Sequence, residues 1–142
     1  MRYETSVTVE APARAVWDVL VDVERWPDWT ESMTSVERLD DGPLKVGSTA
    51  RITQPKMRPA VWTVTELEPG RSFTWESTNP GVRVTAGHLL GEEGGVTTAA
   101  LSVQMSGPLG ALAGALMGSR VRGYVRMEAE GLKARGERAP AS

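Results

Sequence analysis

Leu109-Gly110-Ala111-Leu112-Ala113-Gly114-Ala115-Leu116-Met117-Gly118-Ser119-Arg120-Val121-Arg122-Gly123-Tyr124-Val125 opens the stretch that decides how this chain folds. At about 100° per residue, Leu109, Leu112, Leu116, Val121, Tyr124, Val125 and Leu132 share one broad side of a helix running to about Arg135. Ser119, Arg122, Arg126, Glu130 and Lys133 gather on the other side. Glycine inside a helix costs about 1 kcal/mol relative to alanine. Gly110, Gly114 and Gly118 therefore call for a reason. Either the helix backbone packs close against a neighbour, or its small residues leave room for a ligand. The geometry is the same with or without an occupant.

What precedes this helix is a meander. Residues 3–9 alternate, with Thr5, Val7 and Val9 on one side, as in a half-buried strand. Ala11-Pro12-Ala13 ends that strand and starts a helix carrying Val16, Val19, Leu20 and Val23 on one face. Trp26-Pro27-Asp28-Trp29 interrupts it, and a short second helix is expected across Asp28–Ser32. Six runs follow, at 33–39, 46–54, 60–67, 71–77, 82–91 and 96–106. Asp40-Asp41-Gly42-Pro43, Gln54-Pro55 through Pro59, Glu68-Pro69-Gly70, Asn79-Pro80-Gly81 and Gly94-Gly95 separate them with turn chemistry. Connections this short join antiparallel neighbours, because parallel strands need long crossovers. The expected architecture is α+β: a curved, seven-stranded antiparallel sheet, two short helices, and one long helix laid across the concave face. One helix does not fill such a concavity, and the remaining volume becomes a cavity.

The 142 residues suit one domain, read as 1–136, with 137–142 as a flexible tail. There is no cysteine, and His88 is the one histidine. That excludes thiol chemistry and multi-histidine metal sites within the chain, and no metal or other cofactor is expected. The net charge is −2, and residues 101–142 carry six basic against three acidic side chains. This is far weaker than the patch of a nucleic-acid binder. The start, Met1-Arg2-Tyr3-Glu4, lacks a signal-peptide pattern, and Gly107–Gly118 is too short to span a bilayer. A cytoplasmic monomer or homodimer is expected, with no nucleic-acid partner and no stable membrane insertion.

In order and spacing the chain resembles the START-like (SRPBCC) superfamily, in its polyketide cyclase/dehydrase-like branch. Val9-Glu10-Ala11-Pro12 with Val16-Trp17 is similar to that family's strand-to-helix entry, and Asp22 through Trp29 to its second-helix signature. Leu44-Lys45-Val46-Gly47-Ser48 and Val64-Thr65-Glu66-Leu67-Glu68-Pro69-Gly70-Arg71 resemble its middle hairpin boundaries. The resemblance covers residues 2–136 and implies the helix-grip fold, with an apolar cavity that holds lipids, hormones or polyketides and only sometimes catalyses. No catalytic residue carries over from it.

Candidate site residues come from the pattern. Alternation groups His88 with Val84, Ala86 and Leu90, facing the cavity. It is either a general acid or base, or an interior histidine satisfied by a hydrogen bond. Arg120 falls on the apolar side of the long helix, to meet a ligand carboxylate or enolate or to snorkel to the cavity mouth. Tyr124 lies one turn beyond it, and Glu128 sits near the edge of the same side. Trp62, Phe73, Trp75, Met105, Leu112 and Leu116 complete the expected ligand-binding set, against plain core packing as the alternative. Trp26 and Trp29 wedge the second helix against the sheet, and Met33, Met57, Met105, Met117 and Met127 offer an adaptable wall. Three functions fit this reading. One is a binder of an apolar, lipid-like or polyketide-like molecule. Another is a cofactor-independent cyclase, aromatase or dehydrase with His88, Arg120 and Tyr124 as its candidates. The third is an interaction module with an exposed apolar groove.

Overall fold

The computed structural model describes residues 1–138. Seven strands form one antiparallel sheet: β1 (Arg2–Val9), β2 (Ser35–Arg38), β3 (Thr49–Thr53), β4 (Ala60–Glu68), β5 (Ser72–Asn79), β6 (Val82–Glu93) and β7 (Val96–Ser106). Their spatial order is β1-β7-β6-β5-β4-β3-β2, so the first strand closes against the last and the others follow the chain. The turn residues do what the sequence asks of them. Gly42, Gly70, Gly81, Gly94 and Gly95 all take positive φ between strands.

Helix α1 (Ala13–Val21) buries Ala15, Val16 and Leu20. The next element differs from expectation. Instead of a helix over Asp28–Ser32, a 3-10 helix spans Val23–Asp28 with Pro27 inside it. A short 3-10 turn suits Pro27, which has no N–H to offer, and the i→i+3 bonds run from Arg25 N to Asp22 O and from Trp29 N to Trp26 O, each 3.0 Å. Trp26 is fully buried, its indole Nε1 donating to Leu20 O at 2.9 Å.

The long helix α2 (Gly110–Arg138) crosses the concave face. Its end departs from the expected tail at 137–142, because Glu137 and Arg138 remain helical. Glu137 Oε2 accepts from Glu10 N at 2.9 Å and from Lys133 Nζ at 2.7 Å. Residues 139–142 lie outside the described residues. Among the described residues, no helix is long and apolar enough to cross a membrane.

The buried side of α2 agrees with the expected one at Val121 and Leu132 and differs from it at Leu109, Leu112 and Leu116. Leu112 and Leu116 are 56% and 76% exposed, while Gly118, Val121, Glu128, Ala129, Leu132 and Gly136 are buried. Glycines stand beside Val121, Ala129 and Leu132 on the face that docks. A Cβ at Gly131 would lie 2.0 Å from Trp29 O, and one at Gly136 would lie 2.9 Å from Val9 Cγ1. At the other end, a Cβ at Gly114 would meet Met1 Cβ at 2.5 Å, and one at Gly110 would meet Met105 O at 3.1 Å. The small residues at Gly110 and Gly114 therefore serve backbone packing rather than leaving space for a guest.

The core falls into two parts. A large cluster holds Val16, Leu20, Trp26, Phe73, Trp75 and Leu132 among others. A smaller one is built on Val103, Met105 and Val121, with Val84, Met117 and Val125 against it. Residues of both clusters wall the space between them.

Candidate functional site: a cavity with one buried acid–base pair

That space is a cavity of about 460 Å³, within the range of small-molecule pockets. Sheet residues Trp62, Trp75, Val84, Ala86 and Met105 form its floor, and Ala113, Met117, Val121, Tyr124, Val125 and Glu128 of α2 form its roof. Trp26 and Met33 close one side, and Gln54, Lys56, Met57, Arg58 and Pro59 of the β3–β4 loop form an end. Lys56 and Arg58 are exposed, so this end meets solvent.

Strand alternation holds at the deep pole. His88, Ala86 and Val84 point inward from β6, and Leu89 points out. The His88 ring is stacked on Phe73 at 4.2 Å between centroids and flanked edge-on by Trp26 and Trp75. Its Nδ1 lies 3.0 Å from Phe73 O. A carbonyl only accepts, so Nδ1 carries a hydrogen and donates it. The other nitrogen, Nε2, then stands 3.3 Å from Glu128 Oε1 on α2. Both side chains are buried, His88 at 4% and Glu128 at 8% exposure, and both line the cavity. When Nε2 carries a proton the contact is an ion pair, and each member brings an acid–base group to the cavity wall.

The remaining predicted residues divide by where the fold puts them. Trp62, Trp75, His88, Met105 and Tyr124 line the cavity. Phe73 does not. It shares a face of β5 with Trp75 but is fully buried, covered by the rings of His88, Trp17 and Trp26. Leu112 and Leu116 point to solvent, since the close approach at Gly110 and Gly114 rotates the leucines outward. Arg120 is exposed, at the rim, and its Nη1 donates to Lys56 O at 3.2 Å. The snorkelling reading of Arg120 is the one the geometry carries. One turn on, the Tyr124 hydroxyl donates to Pro55 O, so two side chains of α2 hold the β3–β4 loop. Of the methionines, Met33, Met57, Met105 and Met117 line the wall, and Met127 is 44% exposed. Among the described residues no three histidine or carboxylate side chains converge as a metal would require.

The profile of the family described as polyketide cyclase / dehydrase and lipid transport matches residues 1–137. The chain belongs to that family. Solved structures agree on the fold of this polyketide cyclase/dehydrase-type domain. TTHA0849 from Thermus thermophilus superposes with TM-score 0.78 at 16% identity, over 96% of this chain and 97% of that one. The Zhui aromatase/cyclase of a Streptomyces species gives TM-score 0.78 at 22% identity, over 97% and 94%. Ara h 8.0201 gives 0.67 at 13% identity, over 94% and 98%. At these identities the likeness shows the fold alone, a helix-grip fold as the resemblance implied. No curated protein matches the chain in sequence. The residue that sequence reasoning underweighted is Glu128. The pattern puts it near the edge of the apolar side of α2 and does not pair it with His88. The spacing of Glu128, four residues from Tyr124 and four from Leu132 on the apolar side, was the available signal.

Proposed function

We propose that this protein binds an apolar small molecule, lipid-like or polyketide-like, in the cavity between the sheet and α2. The observation that carries this reading is the wall itself: about 460 Å³ bounded by Trp26, Trp62, Trp75, four methionines and aliphatic side chains. Such a surface favours an apolar guest by roughly 25 cal/mol for each Å² removed from water. The test is titration with the neutral fluorophore N-phenyl-1-naphthylamine. Saturable fluorescence enhancement is expected, and Ala86→Trp, which sets an indole into the cavity, should abolish it while circular dichroism stays unchanged. Absence of enhancement in the wild-type protein contradicts the reading.

A second reading is favoured by one observation, the His88–Glu128 pair. In a cyclase or dehydrase of this family, the basic member would remove a proton from carbon next to a carbonyl. The acidic member would then protonate the oxygen, leaving one proton on the pair as before. The cavity would supply the folded conformer of the chain. His88→Gln and Glu128→Gln separate the two readings. A pure binder keeps its affinity in both variants, whereas an enzyme loses cyclisation or water loss from a poly-β-ketone with its fold intact.

A further inference from the structure

We infer that the ligand has an anionic group at one end of its apolar body, and that Lys56, Arg58 and Arg120 at the cavity mouth receive it. This rests on the cavity-binding reading above and specifies the class of guest. Lys56 and Arg58 belong to the cavity wall, both exposed, and Arg120 sits against the Lys56 carbonyl from the helix side. Among the described residues none of the three has a carboxylate within 4.0 Å, whereas Arg38, Arg51 and Arg83 on the strands each have one, at 3.0, 3.0 and 3.9 Å. The one carboxylate in the cavity wall, Glu128, is turned to His88 at the opposite, buried pole. Nothing acidic in the wall therefore neutralises the mouth.

The layout runs from an apolar interior to three uncompensated cations on one short loop and the adjoining helix turn. The loop is fixed in place through two of its carbonyls, Pro55 O to Tyr124 and Lys56 O to Arg120. The backbone that carries Lys56 and Arg58 is thereby fixed at the entrance. A neutral hydrocarbon would leave that charge unused. A carboxylate, sulfonate or phosphate monoester on an apolar body would meet it while the body lies against Trp62 and Trp75. Exposed pairs of this kind are each worth modest energy and are screened by salt.

The experiment compares two fluorophores with nearly the same aromatic body, neutral N-phenyl-1-naphthylamine and the sulfonate 1-anilinonaphthalene-8-sulfonate. At low ionic strength the sulfonate is expected to bind roughly three- to tenfold tighter. In Lys56→Gln/Arg58→Gln, which leaves Arg120 alone, that preference should fall by at least half, with the affinity of the neutral probe changed less than that of the sulfonate. Decanoate and decyl phosphate should displace the sulfonate at lower concentration than decan-1-ol, and the more effective of the two acids tells carboxylate from phosphate. Failure of the neutral probe to bind overturns the cavity reading and this inference with it. A neutral probe that binds as well as the sulfonate, or a preference that falls by less than half in the double variant, overturns this inference alone. So does sulfonate binding that survives Ala86→Trp, which would place the probe outside the cavity.

Discussion

His88 Nε2 and Glu128 Oε1 face each other across 3.3 Å, joining the sixth strand to the terminal helix at the deep end of an apolar cavity. The helix thus meets the sheet through a polar contact where the rest of its cavity-facing side is apolar. A buried polar group left without its partner costs about 1–3 kcal/mol, whereas replacing both partners by apolar groups is close to neutral.

Glu128→Ala should therefore lower unfolding free energy by about 1–3 kcal/mol, because Nε2 loses its buried partner. His88→Phe/Glu128→Leu should regain most of that loss, since a phenyl ring can keep the stacking on Phe73. Urea denaturation of the wild type, the single variant and the double variant checks this. A double variant as unstable as the single one contradicts the account of the pair.

Tyr124 anchors the β3–β4 loop through Pro55 O. Tyr124→Phe should cost roughly 0.5–1.5 kcal/mol and speed release of a bound fluorophore more than it weakens equilibrium affinity. Stopped-flow displacement measures both. An unchanged release rate would mean that ligand exchange does not pass this loop.

Asp40 gives a pH dependence with a fixed sign. Thr49 N–H donates to its Oδ1 at 2.9 Å, and Ser48 Oγ and Arg38 Nη2 both donate to Oδ2 at 3.0 Å. The hydrogen bond from the Thr49 backbone, followed by those from Ser48 and Arg38, holds the Asp40 carboxyl below the usual aspartate range, against the opposing effect of burial. A depressed folded pKa contributes stability that is complete above the unfolded value and is lost as pH falls through the folded one. The stability gap between wild type and Asp40→Asn should be flat at neutral pH and close in acid. A gap that widens on acidification contradicts it.

Two glycines of the terminal helix should respond in opposite directions. At Gly123 nothing lies within 4 Å of an added Cβ, so Gly123→Ala should stabilise by roughly 0.5–1 kcal/mol. At Gly131 the methyl would overlap Trp29 O, so Gly131→Ala should destabilise by about 1–3 kcal/mol despite the better helix propensity. Thermal unfolding of the two variants distinguishes them. Equal effects would mean that the helix does not lie as close to the 3-10 segment as described.

The meander was legible because each run ends in residues with turn chemistry, and a two-residue period with short connections leaves few topologies. Seven antiparallel strands and the crossing helix follow from that. The docking face of the helix was legible only at Val121 and Leu132, since the rest of its buried side is Gly110, Gly118, Glu128, Ala129 and Gly136, which carry little hydrophobic signal. Leu112 and Leu116 carry that signal on the solvent side. Strand alternation turns His88 to the cavity but carries no sign of Glu128. Contacts between a strand and a distant helix depend on the helix rotation, which glycine packing sets and periodicity does not show. Pro27 breaks an α-helix, but a 3-10 helix holds it within one element.

The account stands on a guest occupying the space between Trp75 and Val121. Native mass spectrometry of the protein purified from its own source tests this most directly. It should show an added mass of a few hundred daltons that dissociates on collisional activation and is missing from Ala86→Trp. A bare chain mass across repeated preparations, together with no uptake of apolar probes, would contradict the account.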